Sequence, residues 1–305
     1  MEKTKLIWKN GKLIPWEEAT THVLTHALHY STGFFEGMRA YDTPNGVAIF
    51  RARDHFQRLL DSAKIYKMKV PYSVEELIDA NKHVIRENNI GACYIRPMVY
   101  YGYGEMGINP RNNPVDAIIA VWPWGPYLGK EGLSKGIRCK VSSWTRIDGS
   151  MLPSLSKCVG NYANSILAKQ EALDGGYDEA ILLNARGVVA EGPGENIFMV
   201  KNNQLITPPI SDSVLGGITR DSVLQIAKDL GYAFSISSVS RDELYTADEL
   251  FFTGTAAEVT PIREVDGREI GSGRRGPITE KIQSTYFNAV KGEDPKYSDW
   301  LDLVK

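Results

Sequence analysis

The sequence predicts an α+β fold on three observations: short runs that alternate apolar and polar residues, other runs at helical spacing, and no regular βαβ rhythm that would build a doubly wound sheet. The first pair of alternating runs flanks Asn10-Gly11, a dipeptide that tolerates the positive backbone angles of a tight hairpin. Two helices follow. In one, Phe56, Leu59, Leu60 and Ala63 recur on one face; the other opens at Ser73 with Glu76 three residues on, the pattern of a capping box. Cys93 to Tyr101 and Ala117 to Trp122 read as strands, and a turn-rich stretch from Pro123 to Gly136 separates the halves. The expected organisation is a small domain over 1–125, a connecting loop over 126–136 and a large domain over 137–305.

The large domain begins with a strand at Ile137 to Ser142, then a loop, then a helix from Asn161 to Leu173 that stops at Gly175-Gly176. Strands at Glu179 to Leu183 and Asn196 to Val200 come next, and a helix capped at Thr219 runs to Gly231. Leu250 to Thr253 reads as a strand entering a small-residue turn, Asp266-Gly267 as a second hairpin, and Pro277 as the opening of the last helix.

Composition narrows the function. A chain with 43% hydrophobic and 24% charged residues can bury a core, and a net charge of -2 with Lys and Arg scattered along it lacks the basic footprint of a nucleic-acid binder. Cys93, Cys139 and Cys158 show no CxxC spacing, which argues against structural zinc and a disulfide framework and for a reducing cytoplasm. No uncharged apolar run approaches the roughly 18 residues a membrane helix needs, and the first residues lack the apolar core of a signal peptide. The expectation is a soluble cytoplasmic protein that handles small molecules, without a metal, a membrane or a nucleic acid.

Three features of the second half suit a phosphorylated, electron-poor ring. In Leu215-Gly216-Gly217-Ile218-Thr219-Arg220 two glycines allow close backbone approach just before a helix N-terminus, which favours an anion; an ordinary turn is the alternative. The turn Thr253-Gly254-Thr255-Ala256-Ala257-Glu258 leaves backbone amides able to cradle anionic oxygens, or is simply tight. Lys157 lies among apolar and small residues, Pro153 to Tyr162, a setting for an amine that must act as a nucleophile, although most single lysines are surface residues.

At this point the motifs combine. His26-Ala27-Leu28-His29-Tyr30 with Phe34-Phe35-Glu36-Gly37-Met38-Arg39, Tyr94-Ile95-Arg96-Pro97, Glu191-Gly192-Pro193-Gly194-Glu195-Asn196, Gly217-Ile218-Thr219-Arg220 and Gly254-Thr255-Ala256-Ala257-Glu258 together resemble the branched-chain-amino-acid aminotransferases of class IV, fold type IV, in order and over nearly the whole chain. The resemblance implies a two-domain enzyme with a small N-terminal α/β domain and a barrel-like sheet in the larger C-terminal one. It implies transamination between leucine, isoleucine or valine and 2-oxoglutarate, by a ping-pong route with pyridoxal 5'-phosphate as cofactor.

Residue by residue, the resemblance makes Lys157 the covalent anchor of the cofactor and the proton carrier at the substrate Cα. Glu191 is the carboxylate beside the pyridine nitrogen, with Glu195 as its rival in the same segment. Tyr162 would bond the phenolic oxygen, its alternative being a half-buried core aromatic. Arg58, on the helix face opposite Phe56, Leu59 and Leu60 and so expected to be solvated, would instead hold the phosphate with Gly217, Ile218, Thr219, Gly254 and Thr255. Tyr94 and Arg96, two apart on a strand, share a face, and with Phe35, Gly37 and Tyr127 they would meet the substrate side chain. Ala256 and Ala257 would offer N–H groups to the α-carboxylate. Tyr30 and Ile108 are expected from a neighbouring subunit, so the implied assembly is a homodimer at least. Small departures from the family pattern are Ser31, Gly33 and Gly216, the last where a proline is common. A D-amino-acid aminotransferase, an R-selective amine aminotransferase or an aminodeoxychorismate lyase of the same fold is the competing reading; a non-catalytic relative would lack this residue set.

Overall fold

Alternation around Asn10-Gly11 sets the first element. Strands β1 (Leu6–Lys9) and β2 (Lys12–Pro15) pair antiparallel with Lys9 opposite Lys12, and the two turn residues take φ of 49° and 86°. The structure is a computed structural model that describes residues 2–125 and 127–305. The chain forms two compact units, one comprising Met1–Trp124, Ser156–Gly160 and Ala289–Lys305, the other Gly125–Leu155 and Asn161–Asn288.

After the hairpin come α1 (His26–Tyr30), β3 (Gly33–Phe35), β4 (Met38–Thr43) and β5 (Gly46–Phe50), then α2 (Ala52–Ile65), α3 (Val74–Glu87), β6 (Cys93–Tyr101) and β7 (Val115–Trp122). The capping box at the start of α3 is present: Ser73 Oγ accepts from Glu76 N at 3.2 Å, and Ser73 N donates to Glu76 Oε2 at 2.7 Å. Four elements between the hairpin and α2 have no counterpart in the periodicity, because each is six residues long or shorter and its burial does not alternate.

The first unit is completed at the C-terminal end of the chain, so the second unit's elements come first in order. These are α4 (Gly129–Lys135), β8 (Ile137–Val141), α5 (Tyr162–Asp174), β9 (Glu179–Leu183), β10 (Val189–Glu191), β11 (Asn196–Lys201), β12 (Gln204–Thr207), α6 (Ile218–Asp229), β13 (Phe234–Ile236), α7 (Arg241–Tyr245), β14 (Glu249–Gly254), β15 (Glu258–Val265) and β16 (Arg268–Glu269). Helix α8 (Pro277–Val290) and strand β17 (Leu301–Leu303) follow. The stretch read as a turn-rich connection thus holds a short helix.

In the first unit an eight-stranded sheet runs β17-β5-β4-β6-β7-β1-β2, with β3 also paired to β6. Phe56, Leu59, Leu77, Val84 and Ile85 from the helices pack with Met38, Ile49, Ile95, Ile119 and Val121 from the sheet in one apolar core. The second unit has a nine-stranded sheet in the order β10-β9-β8-β15-β14-β11-β12-β13, with β16 on β15. Its parallel pairs are β8 with β9 and with β15, and β12 with β13; the rest are antiparallel. This mixture without a doubly wound order is the α+β class expected. No described helix is long and apolar enough to cross a membrane, and no group of three or more His, Cys, Asp or Glu among the described residues has the arrangement of a metal site.

Candidate active site

In the first unit the chemistry gathers around Lys157. Its segment returns to the sheet through an antiparallel bridge between Phe34 and Cys158, and Phe35 N donates to Lys157 O at 3.2 Å. Lys157 N in turn donates to Ser62 Oγ at 3.0 Å, so the last turn of α2 seats the lysine backbone. The amine Nζ lies 5.2 Å from the centroid of the Phe35 ring, and the Arg96 guanidinium lies 4.7 Å from the same ring. One aromatic ring therefore lies beside both the amine and the guanidinium.

Tyr94 and Arg96 share a face of β6 as their spacing predicts, with Arg96 Nη2 donating to Tyr94 Oη at 3.2 Å. Tyr94 stands in an aromatic wall, 5.0 Å from Trp122, its register partner on β7, and 4.5 Å edge-on from Trp124. Gly37 makes room for this wall: a Cβ there would collide with the Tyr94 hydroxyl. Tyr30 at the end of α1 and Ile108 in the loop after β6 are exposed, Ile108 by 91%.

Arg58 is not on a solvated face. Its side chain is only 16% exposed, and it grips the buried Glu36 side-on, Nε to Oε1 and Nη2 to Oε2, each at 2.7 Å. His55 Nδ1 meets Glu36 Oε2 at 2.7 Å. Burial alone would raise the Glu36 carboxyl, but the Arg58 charge and the His55 and Arg58 hydrogen bonds outweigh it and hold the group well below the usual carboxylate range. Burial pushes His55 down, more than its bond to Glu36 lifts it. A carboxylate only accepts, so His55 presents Nδ1–H to it.

In the second unit Glu191 ends β10, almost wholly buried, and three donors converge on it. Arg146 Nη2 lies 2.7 Å from Oε1, and Oε2 accepts from Asn196 Nδ2 at 2.9 Å and from Leu215 N at 3.1 Å. Arg146 is fixed by its own N–H on Leu183 O at 2.8 Å and by Nη1 to Ser165 Oγ at 3.3 Å. Glu195 differs. It is buried and accepts from Gly194 N at 3.0 Å, and burial, with the Glu179 charge adding to it, pushes its carboxyl up to about 8. Burial thus works against charge on Glu195, whereas Glu191, with an arginine at 2.7 Å, has surroundings that stabilise an anion.

Helix α6 begins two residues earlier than the sequence suggests, with Gly217 and not Thr219 at the N-cap; Thr219 is buried inside the first turn beside Ile218. The reason is space. A Cβ at Gly217 would collide with Asn196 Oδ1, the side chain whose other end holds Glu191, so the N-cap must be glycine and no side chain caps the turn. The β14–β15 turn pairs Gly254 with Glu258 and leaves Thr255, Ala256 and Ala257 between them. Next to it Thr253 Oγ1, fully buried opposite Asn196, has no hydrogen-bond partner among the described residues. Tyr162 is half-buried at the first position of α5, and the exposed Tyr127 has its ring 5.6 Å from Lys169 Nζ. A glycine-capped helix start, a small-residue turn, an orphaned buried hydroxyl and a buried carboxylate fit a phosphorylated pyridine.

Sequence reasoning missed Arg146, Asn196, Glu36, His55, Trp122 and Trp124. Asn196 and Glu36 stand inside motifs already singled out, and Trp122 falls opposite Tyr94 once β6 and β7 are paired. Arg146 carried no local signal.

Over residues 33–265 the sequence matches the family described as amino-transferase class IV. A branched-chain-amino-acid aminotransferase of Pseudomonas aeruginosa is 51% identical over 304 residues, covering 100% of this chain and 99% of its own. The crystal structure of the Escherichia coli branched-chain amino acid aminotransferase superposes with a TM-score of 0.98 at 48% identity, over 99% of this chain and 100% of that one. A T.th. branched-chain amino acid aminotransferase complexed with N-(5'-phosphopyridoxyl)-L-glutamate gives a TM-score of 0.96 at 48% identity, with 100% of both chains covered. The chain thus belongs to the class IV aminotransferases and, within them, to the family of the branched-chain-amino-acid aminotransferases.

Proposed function

We propose that the protein transfers amino groups between branched-chain L-amino acids and 2-oxoglutarate by a ping-pong route, with Lys157 covalently joined to pyridoxal 5'-phosphate. The observation that carries this reading is the Phe35 ring with the Lys157 amine 5.2 Å and the Arg96 guanidinium 4.7 Å from its centroid. An aliphatic side chain is met by Phe35, Tyr94 and the tryptophans, and the γ-carboxylate of glutamate by Arg96, so one wall serves both substrates. The T.th. relative complexed with N-(5'-phosphopyridoxyl)-L-glutamate supports glutamate as one of the two substrates.

When bound, the cofactor supplies an electron-withdrawing ring that stabilises negative charge at the substrate Cα. The Lys157 amine would carry the proton between the substrate Cα and the cofactor C4′, so that the proton lost at one carbon is gained at the other. Glu191, pinned by Arg146, Asn196 and Leu215 N, keeps a negative charge at the pyridine nitrogen. Arg58, Ile218, Thr219 and Thr255, with the backbone at Gly217 and Gly254, hold the phosphate, and Tyr162 bonds the phenolic oxygen. Gly37 gives the substrate room beside Tyr94, Ala256 and Ala257 offer N–H groups to the α-carboxylate, and Tyr127 adds apolar surface.

The working assembly in this reading is a homodimer at least. Val23, Leu28 and Ile108 expose 74%, 64% and 91% of their surface, and His26 Nε2 bonded to Gly107 O at 2.7 Å ties the loop of Ile108 to the helix of Leu28 and Tyr30. Such an apolar patch is costly in water. Two measurements test the function. Borohydride reduction and peptide mapping must find the cofactor on Lys157, and L-leucine and L-valine must outperform D-alanine and a chiral amine with 2-oxoglutarate; activity confined to the latter pair overturns the substrate assignment.

A further inference from the structure

We propose that Glu36 is a positioning residue that aims Arg58 at a phosphate monoester, with His55 fixing Glu36 from behind. The inference rests on the reading of Arg58 as a phosphate ligand and deepens it. Glu36 follows β3, is 0% exposed, and anchors its own backbone by N–H to Pro97 O at 2.9 Å. An arginine has five N–H donors arranged as a rigid fork. Glu36 takes the Nε–H and one Nη2–H, both at 2.7 Å. This side-on grip fixes the plane of the guanidinium and directs its other edge, which carries the Nη1 donors, away from the carboxylate.

The grip stands in the right place for such a task. His55, Arg58 and Ser62 are three and then four residues apart on α2, so they lie along one stripe of the helix. The far end of the stripe seats Lys157 through Ser62 Oγ, and the near end holds Glu36 through His55 and Arg58. A buried Arg–Glu pair with no further task is of little net worth to stability, because the desolvation of both ions offsets their attraction. Placed on the stripe that carries the reactive lysine, it fixes a donor edge instead.

The phosphate gives the test. Pyridoxal phosphate and pyridoxal share the aldehyde that joins Lys157 and differ in the phosphate alone. Enzyme freed of cofactor is titrated with each, followed by absorbance, for the wild type, Glu36→Gln, Glu36→Asp and Arg58→Ala. Glu36→Gln is expected to raise the Kd for pyridoxal phosphate at least about tenfold, or about 1.4 kcal/mol, and to leave the Kd for pyridoxal within about twofold. Glu36→Asp, which keeps the charge but shortens the reach, gives a smaller loss with the same selectivity and serves if the glutamine variant fails to fold. Equal weakening of both ligands, no change in either, or tighter binding of the phosphate form overturns the proposal. If Arg58→Ala is selective while both Glu36 variants are not, the proposal alone falls. If Arg58→Ala is itself unselective, the assignment of Arg58 to phosphate falls, and the proposal with it.

Discussion

Replacing Glu195 by glutamine should stabilise this protein, and the gain should grow with pH. In the fold the carboxyl titrates near about 8, whereas in an unfolded chain it titrates near about 4.3. A carboxyl raised in this way leaves stability intact below its unfolded value and removes it as the pH climbs, because the unfolded chain releases the proton first. The separation of roughly 3.7 pH units, at about 1.36 kcal/mol each, sets a ceiling of about 5 kcal/mol, reached above about pH 8. Glutamine is a neutral isostere of the protonated acid and still accepts from Gly194 N, so the variant escapes the loss. Thermal unfolding of both proteins from about pH 5 to pH 9 tests this; at about 2 °C per kcal/mol for a chain of this size the gap should widen to about 10 °C. A gap that is constant with pH, or that widens toward acid, refutes the reasoning. Activity adds a second reading: Glu195→Gln should retain transamination at neutral pH, whereas Glu191→Gln should slow Cα proton removal in stopped-flow absorbance.

Other outcomes follow from the same geometry. Arg96→Ala should reduce turnover of glutamate and 2-oxoglutarate more than the half-reaction with leucine, measured by single-turnover absorbance, because only the former carry a side-chain carboxylate. Arg146→Met should destabilise the fold by about 3–5 kcal/mol in denaturant unfolding, since it strands a buried carboxylate that Arg146 now meets at 2.7 Å. On the acid side, Glu36 and His55 are both held below their ordinary values, so each contributes stability that is present at neutral pH and lost as pH falls below about 6.5 for the histidine and below about 4.3 for the carboxyl. His55→Asn should flatten the first of these losses in thermal unfolding.

Local pattern revealed the elements whose signals are local. The hairpin at Asn10-Gly11, the Ser73 capping box and the bounds of β6 and β9 are all found where periodicity and turn chemistry place them. The short strands β3, β4, β5 and β10 escaped, since three to six residues with most of one run buried do not alternate. Arg58 shows the same limit at a side chain. Its helix position pointed to solvent, and only the arrival of Glu36, 22 residues away, makes that face an interior one. Arg146 is likewise invisible until β10 brings Glu191 beside it, 45 positions along the chain. Residues inside motifs could be named, and those that act through a distant partner could not.

The five residues Ser156–Gly160 belong to the first unit while their neighbours on both sides belong to the second. During synthesis, the N-terminal unit therefore waits for more than half of the polypeptide before Cys158 can zip onto Phe34 and Ser62 can receive its backbone donor. No nascent fragment ending in the interdomain stretch holds Lys157, the proposed anchor of the cofactor. On the proposed assignment of Lys157, capture of the cofactor follows that closure, and a yellow chromophore on this polypeptide would report that Cys158 has already met Phe34.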